Sequence, residues 1–307
     1  MFPAFLTTIF FSISLMCANR SAKLLGGTEA NFWRLTCATA FLSLWAFSFG
    51  QGLSGETFPI FFVSGLIGIG FGDTALFQTL PRLGSRLTIV VVQCLTAPCA
   101  ALIEWLWLGT RLTPGEILCG AVILAGIGIS LAPGRGLYLA GKDLWPGLCF
   151  GAAAAFGSAF GAVLSRKAYA VLDSHGGHVD GGTAAFQRLF GGLLVGAVCL
   201  LVVKWREIKG HVTRSGEYAT LPSKEKWRKA WPWVLSNSLA GQTIGVSCFQ
   251  WAFSTTPTGI VLPIVATTPL VAIPFAWFME GERPSKRSLA GGAIAVGGVV
   301  GLSLLKK

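Results

Sequence analysis

NFWRLTCATAFLSLWAF (residues 31–47) and AAFQRLFGGLLVGAVCLLVV (184–203) are long apolar runs. Each carries one arginine, Arg34 and Arg188, in the same frame, Phe-x-Arg-Leu. A charge inside hydrocarbon costs about 3 kcal/mol or more. Its recurrence at one place in two apolar runs 154 positions apart therefore asks for a reason.

The rest of the chain is of the same kind. Hydrophobic residues make up 53% and charged residues 12% of the 307, against about 25% charged in soluble domains. Runs of about 20 residues with few or no charges read as membrane spans. Ten are expected: 3–19, 31–49, 58–80, 87–108, 114–132, 144–164, 184–203, 231–253, 259–279 and 288–305. Little is left over for a soluble catalytic domain. No Lys or Arg precedes the first run, and Arg20 and Lys23 follow it, so it is expected to remain as a helix rather than act as a cleaved leader. The net charge of +11 sits in loops beside the runs, which is the positive-inside pattern rather than a nucleic-acid surface. The eight cysteines lie in or beside the runs and form no Cys-x-x-Cys pair. Neither a disulfide framework, a metal site nor a cofactor is expected.

Sliding the chain against itself exposes a repeat. At an offset of 172, Phe77-Gln78 meets Phe249-Gln250, and Gly109-Thr110-Arg111 meets Gly281-Glu282-Arg283. Gly120 and Gly126 meet Gly292 and Gly298. Earlier in each half the offset is 146 for Ser12 and Ser158, and 154 for the two arginines, the difference being inserted loop. The expected units are residues 1–136 and 137–307, the second holding a basic loop at 204–230. Each has five spans. An odd number inverts the second unit relative to the first, the architecture of secondary transporters with a site between repeats. The expected fold is thus an all-α integral membrane protein: ten transmembrane helices as two inverted five-helix repeats around a central cavity, with Arg34 and Arg188 flanking it.

On these residues the chain resembles a ten-helix member of the drug/metabolite transporter superfamily with two EamA-type halves. The resemblance rests on Phe-x-Arg-Leu opening the second helix of each half, on Pro98 and Pro269 in the fourth helices, and on the Gly-x-Arg turn that follows. The family's usual Glu in that turn is kept as Glu282 and replaced by Thr110 in the first half. The resemblance implies an exporter with both termini inside a bacterial inner membrane. The charge pattern points the other way. Loops after odd-numbered spans hold 17 of the 24 Lys and Arg, the opposite side 5, and Arg34 and Arg188 complete the set; the positive-inside rule puts the 17 in the cytoplasm.

Asp73 lies about 15 residues into its run and is the leading residue for a proton or substrate site. Arg34 and Arg188 are divided between substrate contact and structural pairing, and Glu104 leans to a structural role. Asp73 shares a helical face with Gly70, Thr74, Phe77 and Gln78. The matching run is unusually polar, with Gln242, Ser247 and Gln250, groups that lipid cannot partner. Gln93 adds a polar group to the fourth run. Trp33 beside Arg34, and Trp251 beside Gln250, could stack on a substrate. Pro98 and Pro269 are expected kinks or hinges. The glycine-rich fifth runs read as scaffold or as a homodimer face. His175, His178 and Asp180 form a loose trio in a glycine-rich loop, read as a flexible connection rather than a metal site.

The function expected from this set is secondary transport, by alternating access, of a small polar or amphipathic metabolite such as an amino acid, with proton coupling through Asp73. A nucleotide-sugar or lipid head-group carrier of the same fold is the near alternative. An intramembrane enzyme is the distant one: the runs hold no histidine and no Ser/His/Asp set. A pore suits a buried Asp and an inverted repeat less well.

Overall fold

The computed structural model describes residues 1–131, 141–209, 223–280 and 285–305, and the described chain is helical throughout. In chain order the helices are α1 (Phe2–Leu25), α2 (Gly27–Ser48), α3 (Phe58–Gly65), α4 (Gly72–Leu108), α5 (Pro114–Leu131), α6 (Gly141–Ser174), α7 (Gly181–Ile208), α8 (Ser223–Asn237), α9 (Val246–Thr255), α10 (Thr258–Ala266), α11 (Thr268–Glu280) and α12 (Lys286–Leu304). Two π-helical turns, Leu66–Phe71 and Ser238–Gly245, join α3 to α4 and α8 to α9.

Among the described residues, seven helical segments are long and apolar enough to cross a bilayer: Phe2–Leu25, Phe58–Leu76, Leu87–Leu108, Pro114–Leu131, Leu144–Ser174, Gly181–Arg206 and Lys286–Leu304. This is an integral membrane protein. The other three expected spans fall short of that measure for identifiable reasons. Helix α2 carries Glu29, Asn31 and Arg34 in its first turns. The run at 231–253 is divided by a π turn. The run at 259–279 breaks at Thr267. The expected boundary at 136/137, the turn from Gly281 to Pro284 and much of the basic loop lie outside the described residues.

The expected separation of spans 58–80 and 87–108 takes an unusual form. Backbone conformation is helical from Gly72 to Leu108. Yet a Cβ placed on Gly151 would lie 2.9 Å from Val91 and 3.4 Å from Thr79, residues that a straight helix would hold about 18 Å apart. The chain therefore bends sharply between them, in the stretch containing Pro81 and Gly84. On one side of the bend the segment runs antiparallel to α6, where Gly68 meets Gly161 and Gly72 meets Gly157. On the other side it runs parallel to α6, with Val91 at Gly151 and Trp107 stacked on Phe160 at 5.6 Å.

The remaining close approaches are also set by small residues. Helix α1 lies along α10 and α11, where Thr8 Oγ1 donates to the Ile264 carbonyl (3.4 Å) and Ser12 Oγ to the Thr268 carbonyl (2.9 Å). It also meets the second π turn, where Gly241 abuts Ser14 and Gly245 abuts Phe11. Pro269 accounts for the break before α11. Its ring excludes the carbonyl of Val265 from the ladder, and Thr268 Oγ1 donates to that carbonyl instead (2.6 Å). Pro98 produces no such break: helix α4 continues through it, and the residue is exposed.

Helices α5 and α12 pack on each other, so the scaffold reading of these glycine-rich runs describes a contact inside the chain. A Cβ on Gly126 would lie 2.5 Å from the Ala295 nitrogen, one on Gly291 2.5 Å from the Ser130 nitrogen, and one on Gly298 2.8 Å from Ile123. Gly297 faces open space, whereas a Cβ on Gly301 would lie 3.1 Å from Cys119 Sγ. Replacing Gly291 by valine is expected to lower stability by about 1–3 kcal/mol, read as a fall in Tm of the detergent-solubilised protein. Gly297→Val should leave Tm nearly unchanged.

Candidate functional site

Three charged side chains from three helices meet where the first π turn ends. Arg34 Nη2 of α2 pairs with Asp73 Oδ2 of α4 at 3.1 Å, and Arg34 Nε donates to Asn31 Oδ1 at 2.9 Å. Arg188 of α7 is 5% exposed and acts electrostatically on the same carboxylate. Its guanidinium lies over Gly68, whose added Cβ would be 3.2 Å from Nη2, and its carbonyl fills the space at Gly65. Any side chain at Gly65 would collide with that backbone. Arg188 Nε has no hydrogen-bond partner among the described residues. Arg34 and Asp73 are paired and Arg188 Nε is not, so the three formal charges sum to one unit of positive charge among packed helices. A buried charge left without a partner is costly, on the order of 3–5 kcal/mol when a buried pair is broken.

The π turns were not legible from the sequence. A π turn widens the helix by one residue and disturbs its hydrogen-bond ladder, and such turns are frequent at functional sites. The first immediately precedes Asp73. The second presents Ser238, whose Oγ donates to the Arg34 carbonyl at 3.0 Å. Both are rich in glycine, with Gly68 and Gly70 in one and Gly241 and Gly245 in the other. That is the one signal a reader of the sequence had.

Other candidates are dispersed. Gln78 is exposed and accepts from Arg82 Nη1 through its side chain at 3.1 Å, so it does not join Asp73. Thr74 faces Cys199 of α7 at 3.4 Å, and the Phe77 side chain lies outside the described residues. Trp33 sits edge-on to Trp227 (5.4 Å) and Trp231 (6.4 Å), in a cluster that secures α8. Gln93 is half-buried on α4. Gln242 and Gln250 are buried. The Gln242 Oε1 and both amide atoms of Gln250 lack partners among the described residues, an arrangement that calls for water or a ligand.

Glu104 has a structural position. It is 2% exposed and accepts from the backbone nitrogen of Thr258 at 2.7 Å and from the Thr258 hydroxyl. It also faces Arg166 Nε at 3.7 Å. Arg166 Nη1 donates to the carbonyls of Phe253 (2.9 Å) and Ser254 (3.1 Å). The acid thus caps the start of α10 and the base the end of α9, each complementing the local helix dipole.

Ser247 and Trp251 line a different feature. A cleft of about 350 Å³ is bordered by Trp45, His178, Val179, Asp180, Gly181, Gly182, Ser247, Cys248, Trp251 and Ser254. Asp180 caps α7: its Oδ1 accepts from Gly182 N (2.9 Å), Thr183 N (3.0 Å) and Trp45 Nε1 (2.9 Å). Burial pushes this carboxyl up, but the bonds from Thr183, Trp45 and Gly182 outweigh it and hold it below the ordinary carboxylate value. His175 pairs instead with Glu56 at 2.8 Å, so His175, His178 and Asp180 do not converge.

Family comparison supplies the class. The model of the EamA-like transporter family matches residues 1–132 and 145–304. The chain belongs to that family. It is therefore a member of the drug/metabolite transporter superfamily, whose members are transporters and not enzymes. No curated protein matches the sequence. A crystal structure whose description names no function superposes with a TM-score of 0.75 at 16% identity, covering 99% of this chain and 95% of that one; at that identity the likeness establishes the fold alone.

Two outcomes follow for this EamA-family protein. Glu104→Ala strips the cap from Thr258 and the partner from Arg166, and is expected to cost about 3 kcal/mol, read as a lowered Tm; Glu104→Gln, which keeps an acceptor for Thr258, should cost less. Asp180, lowered in the folded state, stabilises fully above its unfolded pKa of about 3.9. That contribution should fade as pH falls below about 4. A Tm-against-pH profile of wild type and Asp180→Asn should diverge above that range and converge below it.

Proposed function

We propose that this protein carries a small polar or amphipathic metabolite bearing a carboxylate, an amino acid being the type, outward across a bacterial inner membrane by alternating access. The observation that carries the proposal is the uneven cluster of Arg34, Asp73 and Arg188. One unit of positive charge among packed helices is complementary to one carboxylate. A guanidinium offers that group two parallel bonds. Asp73 then has a second role, because a carboxyl alternating between an arginine partner and a proton could couple transport to the proton gradient.

The halves, 1–136 and 137–307, are proposed as inverted repeats related about an axis in the membrane plane. The two stretches matched by the family model support this. So does the recurrence of contacts at matching positions. Gly241 on Ser14 and Gly245 on Phe11 fall within one residue of the positions that match Gly68 on Gly161 and Gly72 on Gly157. Gly126 on Gly291 corresponds to Gly298 on Cys119. The two π turns also begin 172 residues apart.

In proteoliposomes, Asp73→Asn should fold yet fail to concentrate substrate when only a pH difference is imposed; concentration at the wild-type level would remove Asp73 from the coupling role. Arg188→Lys keeps the charge and loses the planar fork, and should reduce transport about tenfold or more. If it transports normally while Arg188→Ala does not fold, the arginine is structural.

Orientation follows the basic loops, with odd-numbered loops in the cytoplasm. Ser174, exposed at the end of α6, then faces outward. In a background without native cysteines, Ser174→Cys should react with an impermeant thiol reagent on intact cells; labelling only after lysis would reverse the orientation.

A further inference from the structure

The cleft beside Asp180 is not accounted for by the transport cluster, and its walls have a chemistry of their own. Trp45 and Trp251 are 49% and 47% exposed. Each stands about one turn or less from the end of its helix, and Asp180 stands just before the start of α7. All three therefore lie at one end of the bundle, at the depth where tryptophans border the polar headgroups of a bilayer. Gly181 and Gly182 bring the walls together. A Cβ on Gly181 would strike the Ser247 carbonyl and lie 3.2 Å from Trp251 Cβ, and one on Gly182 would lie 2.6 Å from Trp45 Nε1.

The charge is the deciding feature. The chain carries +11 overall, yet the described lining contains Asp180 and no Lys or Arg. His178 is the other titratable lining group besides the thiol of Cys248. The carboxylate is held ionised at neutral pH by its cap, and two indoles offer electron-rich faces to a cation. A cleft of about 350 Å³ falls in the range of small-ligand sites, roughly 300–1,000 Å³.

We infer that this cleft binds an organic ammonium group between Trp45 and Trp251, with Asp180 as its counter-charge. The group comes either from an amine-bearing phospholipid headgroup in the adjoining leaflet or from a free organic cation. The inference does not depend on the substrate proposed for the cluster at Asp73. Neither Asp180 nor Trp45 belongs to that cluster, so failure of one leaves the other standing.

The full chain is placed in nanodiscs containing equal phosphatidylethanolamine and phosphatidylglycerol, and the lipids retained on release are weighed by native mass spectrometry. Separately, lipid-free protein in detergent is titrated with ethanolamine hydrochloride, following the ¹⁹F resonance of 5-fluorotryptophan at Trp45, assigned with Trp45→Phe. Wild type is expected to retain phosphatidylethanolamine over phosphatidylglycerol by roughly tenfold. Asp180→Asn keeps the helix cap, since Asn caps as well as Asp, and should bring the ratio to one. Trp251→Leu leaves the cap untouched and should lower the ratio too, which decides the matter if the Asn variant does not fold. Lipid preference without a response to ethanolamine supports the membrane lipid as the source. An ethanolamine response that Asp180→Asn abolishes, without lipid preference, supports the free cation. Absence of both effects in wild type, or their persistence in folded Asp180→Asn or Trp251→Leu, overturns the inference.

Discussion

The pairing of charge inside the membrane is the constraint on which the rest depends. Arg34 and Asp73 come from helices that are distant in sequence and reach each other at 3.1 Å. Neither could remain ionised among apolar helices alone. Arg188 joins them with its Nε unpartnered among the described residues. The cluster is therefore satisfied on one side and open on the other. A wholly structural network would be expected to close, because a half-satisfied buried network is worse than an apolar core. The open valence is what turns a structural pair into a candidate for binding.

Reaching that geometry requires helices to approach more closely than ordinary side chains permit. Gly65, Gly68 and Gly72 let α6 and α7 lie against the first π turn and the start of α4. The second π turn uses Gly241 and Gly245 against α1 in the same manner. Without a hydrophobic force between helices in lipid, such contact is the main source of cohesion. The ends are fastened differently, by charge and capping. Glu104 and Arg166 bracket the α9–α10 junction, and Asp180 ties α7 to α2 through Trp45. The middle of the bundle is thus held by shape and the end by hydrogen bonds, a division compatible with a middle that can re-pack around a ligand.

Much of this was legible in the sequence, for physical reasons. Charge is so costly in hydrocarbon that Arg34, Asp73, Arg188 and Glu104 stand out without any knowledge of their partners. The Phe-x-Arg-Leu frame and the Phe-Gln pairs likewise stand out as internal likenesses of the sequence. What failed was phase and partnership. Phe77-Gln78 and Phe249-Gln250 are the same motif, but Gln78 is exposed beside Arg82 and Gln250 is fully buried. Asp73 and Gln78 both lie beyond the first π turn, on α4, and at 3.6 residues per turn a spacing of five puts them about 140° apart around the helix. Trp33 was read with its neighbour Arg34, whereas its ring contacts include Trp227 and Trp231, nearly 200 positions away. The capping of Thr258 by Glu104 spans 154 positions, a distance over which no local pattern carries information.

The central claim, that the cluster at Asp73 presents unpaired positive charge to a carboxylate, is tested most directly by ligand-induced stabilisation. Purified protein is heated with a panel of amino acids and, beside each, its carboxamide, which keeps the side chain and the amine and removes the negative charge. Binding to the folded state raises Tm by mass action. The account predicts that at least one acid raises Tm while its amide does not, and that the rise disappears in Arg188→Met. An amide that stabilises as well as its acid, or a rise that survives in Arg188→Met, would contradict it.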